Sequence, residues 1–303
     1  MNNSRSSSAA AVATALGLVY VVWGSTYLAI RVAVSSWPPF LMAALRFLSS
    51  GLALYGFLRW RGVARPSRIE FRSAAIVGLF LLLGGNGTVV WGERNVPSGL
   101  AALLVSVVPL WMAVADWVRP GGRAPSARTV AGLALGFIGL VMLFGVDVAG
   151  AGPGFRSGVI ALVIASPLWA IGSVYSKRAT MPASPFMATA CEMLAGGVGL
   201  AVISLFAGET RGFSVASVTP ASWAALVYLI LFGSLVGFTA YIYALTHAPL
   251  SVASTYAFVN PVVAVLLGWW MLHEPVGLRT LGAGAMVLLA VALITTAPRA
   301  AGN

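Results

Sequence analysis

Residues 39–51 read PFLMAALRFLSSG, and residues 185–197 read PFMATACEMLAGG. Five of the thirteen positions are identical at an offset of 146 residues, and both stretches are apolar apart from one central charge. That charge is Arg46 in the first stretch and Glu192 in the second. The two stretches indicate that the chain contains an internal repeat built from strongly apolar segments.

The repeat extends in both directions from these stretches. Trp23 aligns with Trp169 at the same offset of 146, and Pro109 aligns with Pro261 at an offset of 152. Because the matches keep their order while the offset drifts by only six residues, we interpret them as a true duplication.

The composition is typical of an integral membrane protein. Of 303 residues, 59% are hydrophobic and only 8% are charged, against roughly 25% charged residues in soluble domains. A soluble enzyme, a disordered protein and a nucleic-acid reader are therefore excluded. The net charge of +11 does not indicate nucleic-acid binding, since most basic residues lie in short gaps between apolar runs. The single lysine, Lys177, precedes Arg178, so the P-loop signature is absent.

Ten apolar runs are each about long enough to cross the roughly 30 Å hydrocarbon core as a helix. They predict an all-α membrane protein with ten transmembrane helices, five in each repeat. Because five is odd, the second repeat should enter the membrane from the opposite side, as in many secondary transporters. The runs are 10–34, 38–58, 73–92, 96–117, 129–146, 158–175, 185–207, 222–245, 249–272 and 278–296.

The basic residues of the short loops predict the orientation. With ten spans, both termini lie on one side, and twelve basic residues fall on that side against five on the other. Both termini are therefore expected in the cytoplasm of a bacterial cell, in a multi-pass protein of the inner membrane.

Three short motifs resemble the EamA-type members of the drug/metabolite transporter superfamily. They are Trp23-Gly24-Ser25, Arg46-Phe47 and Leu272-His273-Glu274-Pro275. Within that superfamily the chain looks most like the YddG-type exporters of aromatic amino acids. The resemblance implies a central cavity lined by spans 1, 3, 4, 6, 8 and 9, with spans 5 and 10 at the periphery.

The duplication and the resemblance together predict five segments. These are a cytoplasmic tail (1–9), a first five-helix repeat (10–147), a periplasmic connector (148–157), a second five-helix repeat (158–296) and a cytoplasmic tail (297–303).

Arg46 and Glu192 are expected deep inside spans 2 and 7. A charge at the bilayer centre costs about 2.5–3.5 kcal/mol on insertion scales, so both side chains should face protein or water. Two interpretations stay open. In the first, the pair forms a substrate or proton-coupling site, with Glu192 as the proton carrier or as the partner of a substrate amine. In the second, each charge ties its helix to neighbouring spans.

Pro109 and Pro261 are expected in the middle of spans 4 and 9. Proline cannot donate a hydrogen bond to the carbonyl four residues earlier, which frees the carbonyls of Val105 and Ala257. The two prolines are hinge candidates, and the alternative is a static kink that shapes the cavity. In span 3, the run Gly84-Gly85-Asn86-Gly87 is expected to unwind the helix beside the site.

Aromatic and amide side chains within the cavity-lining spans are the candidate substrate contacts. A cavity for flat apolar solutes is typically lined by aromatic rings with few polar groups. The candidates are Trp23, Tyr27, Asn86, Trp111, Trp169, Tyr241, Tyr256, Phe258 and Asn260. Four acids near the predicted external surface, Glu93, Asp147, Glu209 and Glu274, are expected to be solvated.

The chain is therefore expected to be a secondary or facilitative transporter, not an enzyme. By resemblance, it would export amino acids, above all aromatic or hydrophobic ones, and related small metabolites by alternating access. The alternatives are a multidrug or other-metabolite permease of the same fold, a channel, and an integral-membrane enzyme that modifies lipids. We expect a monomer whose partners are a small-molecule substrate and the lipid bilayer, with no nucleic acid, cofactor or metal.

Overall fold

The computed structural model of the protein describes residues 2–118, 126–144, 152–248, 250–253 and 255–296. Throughout these ranges the regular secondary structure is helical. The all-α prediction is thus confirmed for the described part of the chain.

The first half contains seven α-helices and one π-helical segment, π1. They are α1 (Asn2–Ala33), α2 (Pro39–Trp60), α3 (Arg68–Gly78), π1 (Leu79–Asn86), α4 (Gly87–Gly92), α5 (Ser98–Val105), α6 (Val108–Val118) and α7 (Ala127–Phe144).

The second half repeats this order with a second π-helical segment, π2, and a short 3₁₀ turn (Val215–Ser217). Its other elements are α8 (Phe155–Ser176), α9 (Pro185–Phe206), α10 (Pro220–Tyr228), π2 (Leu229–Val236), α11 (Gly237–His247), α12 (Leu250–Ala253), α13 (Tyr256–Leu272) and α14 (Leu278–Thr295).

Seven helical stretches in the described residues are long and apolar enough to cross a membrane. They are Ala9–Ala33, Pro39–Trp60, Arg68–Gly92, Ser98–Ala115, Phe155–Ser176, Pro185–Phe206 and Pro220–His247. Three shorter apolar helices, Ala127–Gly139, Val259–Leu272 and Leu278–Leu293, fall within predicted runs 5, 9 and 10. The count of ten spans and the inversion of the second repeat stay predictions.

Two pairs of corresponding helices have equal lengths. Helices α2 and α9 each have 22 residues and each begin with a proline, while α7 and α14 each have 18. Corresponding helices also pack against each other, α2 on α9 and α7 on α14. Helix α1 packs against α11 and α13, and α8 packs against π1 and α4. The two halves therefore share one buried interior.

The π-helical segments lie at equivalent positions, since π2 begins 150 residues after π1 and each has eight residues. In a π-helix the backbone bonds span five residues, and such segments are often found at functional sites. The Gly87 N–H reaches the Leu82 carbonyl and the Gly237 N–H reaches the Phe232 carbonyl. The glycine run in span 3 thus does not unwind the helix. Its backbone adopts the wider π form and stays hydrogen-bonded.

Span 4 is interrupted near its proline, whereas the proline of span 9 lies inside a helix. Span 4 leaves the α-helix between Val105 and Val108, and Pro109 is the second residue of α6. The Ser166 hydroxyl donates to the Val105 carbonyl at 3.3 Å, which satisfies the carbonyl that the proline frees. Pro261 lies inside α13, five residues after its start at Tyr256.

Candidate functional site

A central cavity lies where helices of both halves meet. Its walls come from predicted spans 1, 3, 4, 6, 8 and 9, with one further residue, Arg46, from span 2. It is lined by Trp23, Thr26, Tyr27, Ile30, Arg46, Gly85, Asn86, Val89, Val105, Val108, Ala165, Trp169, Phe238, Tyr256 and Asn260.

Trp23 is the centre of an aromatic cluster at this cavity. Its ring centroid lies 5.7 Å from that of Trp169, 5.1 Å from that of Phe238 and 5.4 Å from that of Tyr256, with the rings edge to face. Tyr241 packs behind these rings, 4.8 Å from Trp23. Edge-to-face packing fixes ring orientation, so the cavity wall has a defined shape.

The π2 segment holds two cavity side chains in place. The Trp23 indole Nε1 donates to the Gly233 carbonyl at 3.2 Å, and the Arg46 Nε donates to the Ser234 hydroxyl at 2.8 Å. Gly237, the first residue after π2, lets the indole approach, because a Cβ there would lie 2.5 Å from Trp23 Nε1.

The π1 segment makes the corresponding contact in the other half. Gly85 packs against Trp169, and a Cβ at Gly85 would lie 2.9 Å from the Trp169 ring. The next residue, Asn86, lines the cavity. Each π-helical region therefore provides a glycine against which the tryptophan of the opposite half packs.

Three cavity side chains carry buried polar atoms that have no hydrogen-bond partner among the residues that the structure describes: Arg46 Nη1, Asn86 Oδ1 and Trp169 Nε1. The Trp169 nitrogen lies near the hydroxyls of Tyr241 and Tyr256, outside hydrogen-bonding geometry. Because buried polar groups are nearly always paired in folded proteins, these atoms are available to a ligand. They comprise a cationic donor, a neutral donor and an amide acceptor.

Asn260 has a different role from Asn86. When the side-chain amide is oriented so that both its oxygen and its nitrogen are satisfied, the nitrogen donates to the carbonyls of Tyr256 and Tyr20 at 3.3 and 3.2 Å. The side chain therefore joins α13 to α1 while its residue lines the cavity wall.

Six of the nine predicted substrate contacts lie together at the cavity: Trp23, Tyr27, Asn86, Trp169, Tyr256 and Asn260. Tyr241 is in the layer behind, and Trp111 packs edge to face on Phe137 at 5.5 Å. The side chain of Phe258 lies outside the described residues.

The two intramembrane charges have different surroundings. Both are buried, but only Arg46 lines the cavity. Glu192 lies against α3, since a Cβ on Gly78 would be 2.2 Å from the Glu192 carbonyl oxygen. The equivalence of their sequence positions does not extend to their roles at the cavity.

The expectation of solvated external acids is wrong for Glu93, whereas Glu209 and Glu274 are half-buried and hydrogen-bonded. Glu93 is fully buried, because the end of α4 packs against α8. Glu209 accepts hydrogen bonds from the N–H groups of Phe40 and Leu41, and Glu274 accepts from Ser98 and Gly99. Asp147 lies outside the described residues.

Sequence reasoning also missed Phe238, a fully buried aromatic residue of the cavity wall. Its signal was available, since Phe238 follows Gly237 and lies three residues before Tyr241. The sequence contained a weaker indication for Glu93, which is an acid directly after the third predicted span.

A second, wider opening, the loop depression, lies where the loops after spans 1, 3 and 9 gather. It is lined by Arg31, Val32, Val34, Ser35, Arg94, Asn95, Pro97, Gly152, Phe155, Ala221, Leu272, His273, Glu274 and Pro275. Polar and charged residues are frequent here, in contrast to the central cavity.

The duplication matches a known family model twice. The model of the EamA-like transporter family matches residues 11–145 and again residues 156–296. The chain belongs to the EamA-like transporter family. This EamA-family protein is therefore a membrane transporter of the drug/metabolite transporter superfamily and not an enzyme.

Relatives of this EamA-family protein occur in distant organisms. The inner membrane transporter YedA of Escherichia coli (strain K12) is 41% identical over 282 residues, covering 93% of this chain and 89% of that protein. The transporter YoaV of Bacillus subtilis (strain 168) is 27% identical over 281 residues, covering 90% of this chain and 93% of that protein.

A solved crystal structure has the same fold, with a TM-score of 0.66 at 20% identity over 94% of this chain and 96% of the other. The narrower resemblance to YddG-type exporters stays a prediction.

Proposed function

We propose that this transporter exports small carboxylate-bearing metabolites with a flat apolar group, above all aromatic or hydrophobic amino acids, from the cytoplasm across the bacterial inner membrane. The observation that carries the proposal is the set of unpartnered buried polar atoms of Arg46, Asn86 and Trp169 at a cavity otherwise lined mainly by aromatic and aliphatic side chains. A guanidinium and an amide oxygen at one cavity suit the two ends of a zwitterion.

The recognition chemistry follows from the properties of these groups. Arg46 is fixed through Nε by Ser234, so Nη1 is free to donate to a substrate carboxylate. Asn86 Oδ1 can accept from a substrate ammonium. The rings of Trp23, Trp169 and Tyr256 would pack on the apolar part, and their edge-to-face arrangement favours flat groups.

The transport cycle is inferred from the duplication. We infer that the second repeat is inverted, that ten spans cross the membrane and that both termini are cytoplasmic, as the charge of the loops predicts. Two such halves can exchange conformations and expose the shared cavity first to one side and then to the other. In this orientation the loop depression faces the periplasm. The similarity to YedA, an inner membrane transporter, supports the assignment of this protein to the inner membrane.

The experiment is transport by the purified protein in liposomes. Vesicles loaded with unlabelled L-phenylalanine should take up labelled L-phenylalanine by counterflow with saturable kinetics. Flux without saturation would indicate a channel, and the absence of counterflow for a panel of amino acids and other carboxylates would overturn the proposal.

Two analogues test which end of the substrate is recognised. Phenethylamine lacks the carboxylate and 3-phenylpropionate lacks the ammonium. We expect phenethylamine to compete least well, since a charge-assisted hydrogen bond contributes about 1.5–3 kcal/mol. Equal competition by both analogues would show that Arg46 does not select the carboxylate, and a preference for phenethylamine would favour a permease for cations.

A further inference from the structure

Glu93 lies in the wall between the two openings of the molecule. It directly follows α4, which ends at Gly92. Val89, one turn earlier, lines the central cavity, whereas Arg94 and Asn95 line the loop depression. Glu93 therefore lies between residues that line the two openings, and it is itself buried.

The Glu93 carboxylate is fully buried, yet it has no hydrogen-bond partner in the described part of the chain. Both of its oxygens are unpartnered. The nearby Arg31 guanidinium does not compensate for this, because its Nη1 donates to the backbone carbonyls of Glu93 and Arg94 at 2.5 and 2.7 Å. A buried carboxylate in such surroundings is costly to ionise, so the protonated form is favoured in this conformation.

The charges around Glu93 have opposing effects. Burial raises the pKa of Glu93 well above its ordinary range, and the neighbouring Glu274 carboxylate raises it further, while Arg31 and Arg46 lower it. Glu274 is itself fixed by the amino terminus of α5.

The other titratable or charged groups on the surrounding elements are Tyr27 on α1, the adjacent Arg94, His273 at the end of α13 and the exposed Arg156 on α8.

Arg46 connects Glu93 with the central cavity. Its charge acts on Glu93 electrostatically, and its Nη1 has no hydrogen-bond partner among the described residues. An ionised Glu93 lowers the positive potential at Arg46, whereas a protonated Glu93 leaves the full charge of the guanidinium for an anionic group in the cavity.

We propose, on the basis of the proposed function, that Glu93 is a proton-binding site of the transport cycle and that it is protonated when a substrate carboxylate occupies Arg46. Binding then takes up one substrate and one proton from the same side. Release of both on the other side leaves Glu93 ionised, with Arg46 as its counter-charge. Substrate and proton therefore move in the same direction, and an outward substrate gradient carries protons out of the cell.

The test uses the full chain in liposomes loaded with L-phenylalanine and a pH-sensitive dye. Net efflux of phenylalanine should make the lumen more alkaline, with one proton leaving per substrate. The apparent affinity for phenylalanine should fall by up to about tenfold per pH unit above the pKa of Glu93, as linkage of one proton requires. Counterflow, which needs no net proton movement, reports the proposed function separately.

Glu93→Gln mimics the protonated acid. This variant should keep counterflow, lose all proton movement and bind phenylalanine with an affinity that no longer depends on pH. Glu70→Gln, in the capping box of α3, is the matched control and should behave as the unsubstituted protein. Loss of proton movement in Glu192→Gln, with Glu93→Gln unaffected, would assign the proton to Glu192 and overturn the inference.

The remaining outcomes are also decisive. Counterflow by the unsubstituted protein without any change in lumenal pH, or acidification of the lumen during efflux, overturns the inference and leaves the proposed function intact. If Glu93→Gln lacks counterflow, Glu93→Asp must restore both substrate and proton movement. An aspartate variant that transports phenylalanine alone contradicts the assignment. Absence of counterflow with every carboxylate overturns both proposals.

Discussion

Glu274 binds the amino terminus of α5 through Ser98. Its Oε1 accepts from the Ser98 backbone N–H at 2.8 Å, and its Oε2 accepts from the Ser98 hydroxyl at 2.8 Å. The loop after span 9 is thereby fastened to the start of span 4. Glu209 makes the equivalent connection to α2 through Leu41, at 2.8 Å. In both cases an acid of the second repeat satisfies free N–H groups of a helix in the first repeat.

Replacing Glu274 with glutamine should destabilise the protein. The substitution removes a charge-assisted interaction with a helix amino terminus, and we expect the free energy of unfolding to fall by about 1–2 kcal/mol. Equilibrium unfolding in detergent micelles measures the change. Glu70→Gln, which alters an exposed capping box, should have a smaller effect. Equal stabilities of Glu274→Gln and the unsubstituted protein would show that the connection contributes nothing.

Arg46 should determine substrate affinity. Arg46→Gln removes the free Nη1 donor and should weaken phenylalanine binding by about 10- to 100-fold, the equivalent of 1.5–3 kcal/mol for a hydrogen bond to a charged group. Competition for counterflow provides the measurement. Arg61→Gln, at the exposed end of the same helix, is the control. Unchanged affinity in Arg46→Gln would remove Arg46 from the binding site.

Ser234 should act through Arg46. In Ser234→Ala the buried Nε of Arg46 loses its acceptor, which costs about 1–3 kcal/mol, and the guanidinium is no longer held at the cavity. We expect lower stability together with weaker substrate binding, and Ser234→Thr should restore both. The control is Ser49→Ala on the exposed face of α2, whose hydroxyl bonds to the Leu45 carbonyl of its own helix. A stability loss without any change in affinity would limit Ser234 to packing.

The close approach of Trp23 to Gly237 should not tolerate a methyl group. In Gly237→Ala the new Cβ would lie 2.5 Å from Trp23 Nε1, and overpacking of this kind costs about 1–3 kcal/mol. We expect slower counterflow and a shift in tryptophan fluorescence. Gly17→Ala on α1 is the control, because nothing lies within 4 Å of its Cβ position. Normal transport by Gly237→Ala would show that the position of Trp23 is not critical.

Pro261 should affect the rate of transport more than the amount of folded protein. Pro261→Ala allows α13 to form the missing backbone hydrogen bond, which stiffens a helix that we expect to bend during the cycle. Turnover in liposomes and the yield of monodisperse protein are measured side by side. Proportional losses of both would favour a static kink.

The sequence by itself determined the helical class and the duplication, and it predicted six residues that lie at the cavity. Apolar runs of membrane-spanning length are a local property, and the offset between repeats can be read without coordinates. Trp23 and Trp169, which align at 146 residues, do lie at one cavity with Asn86 and Tyr256. This placement follows because a polar or aromatic side chain within an apolar run favours a shared interior.

Only the tertiary structure decided how equivalent positions differ. Arg46 lines the cavity and Glu192 does not, because the partner that orients Arg46 is Ser234, 188 residues away in the sequence. The burial of Glu93 likewise depends on the packing of α4 against α8. Hydropathy describes each segment separately, whereas the surroundings of a charge depend on contacts between segments that are distant in the chain.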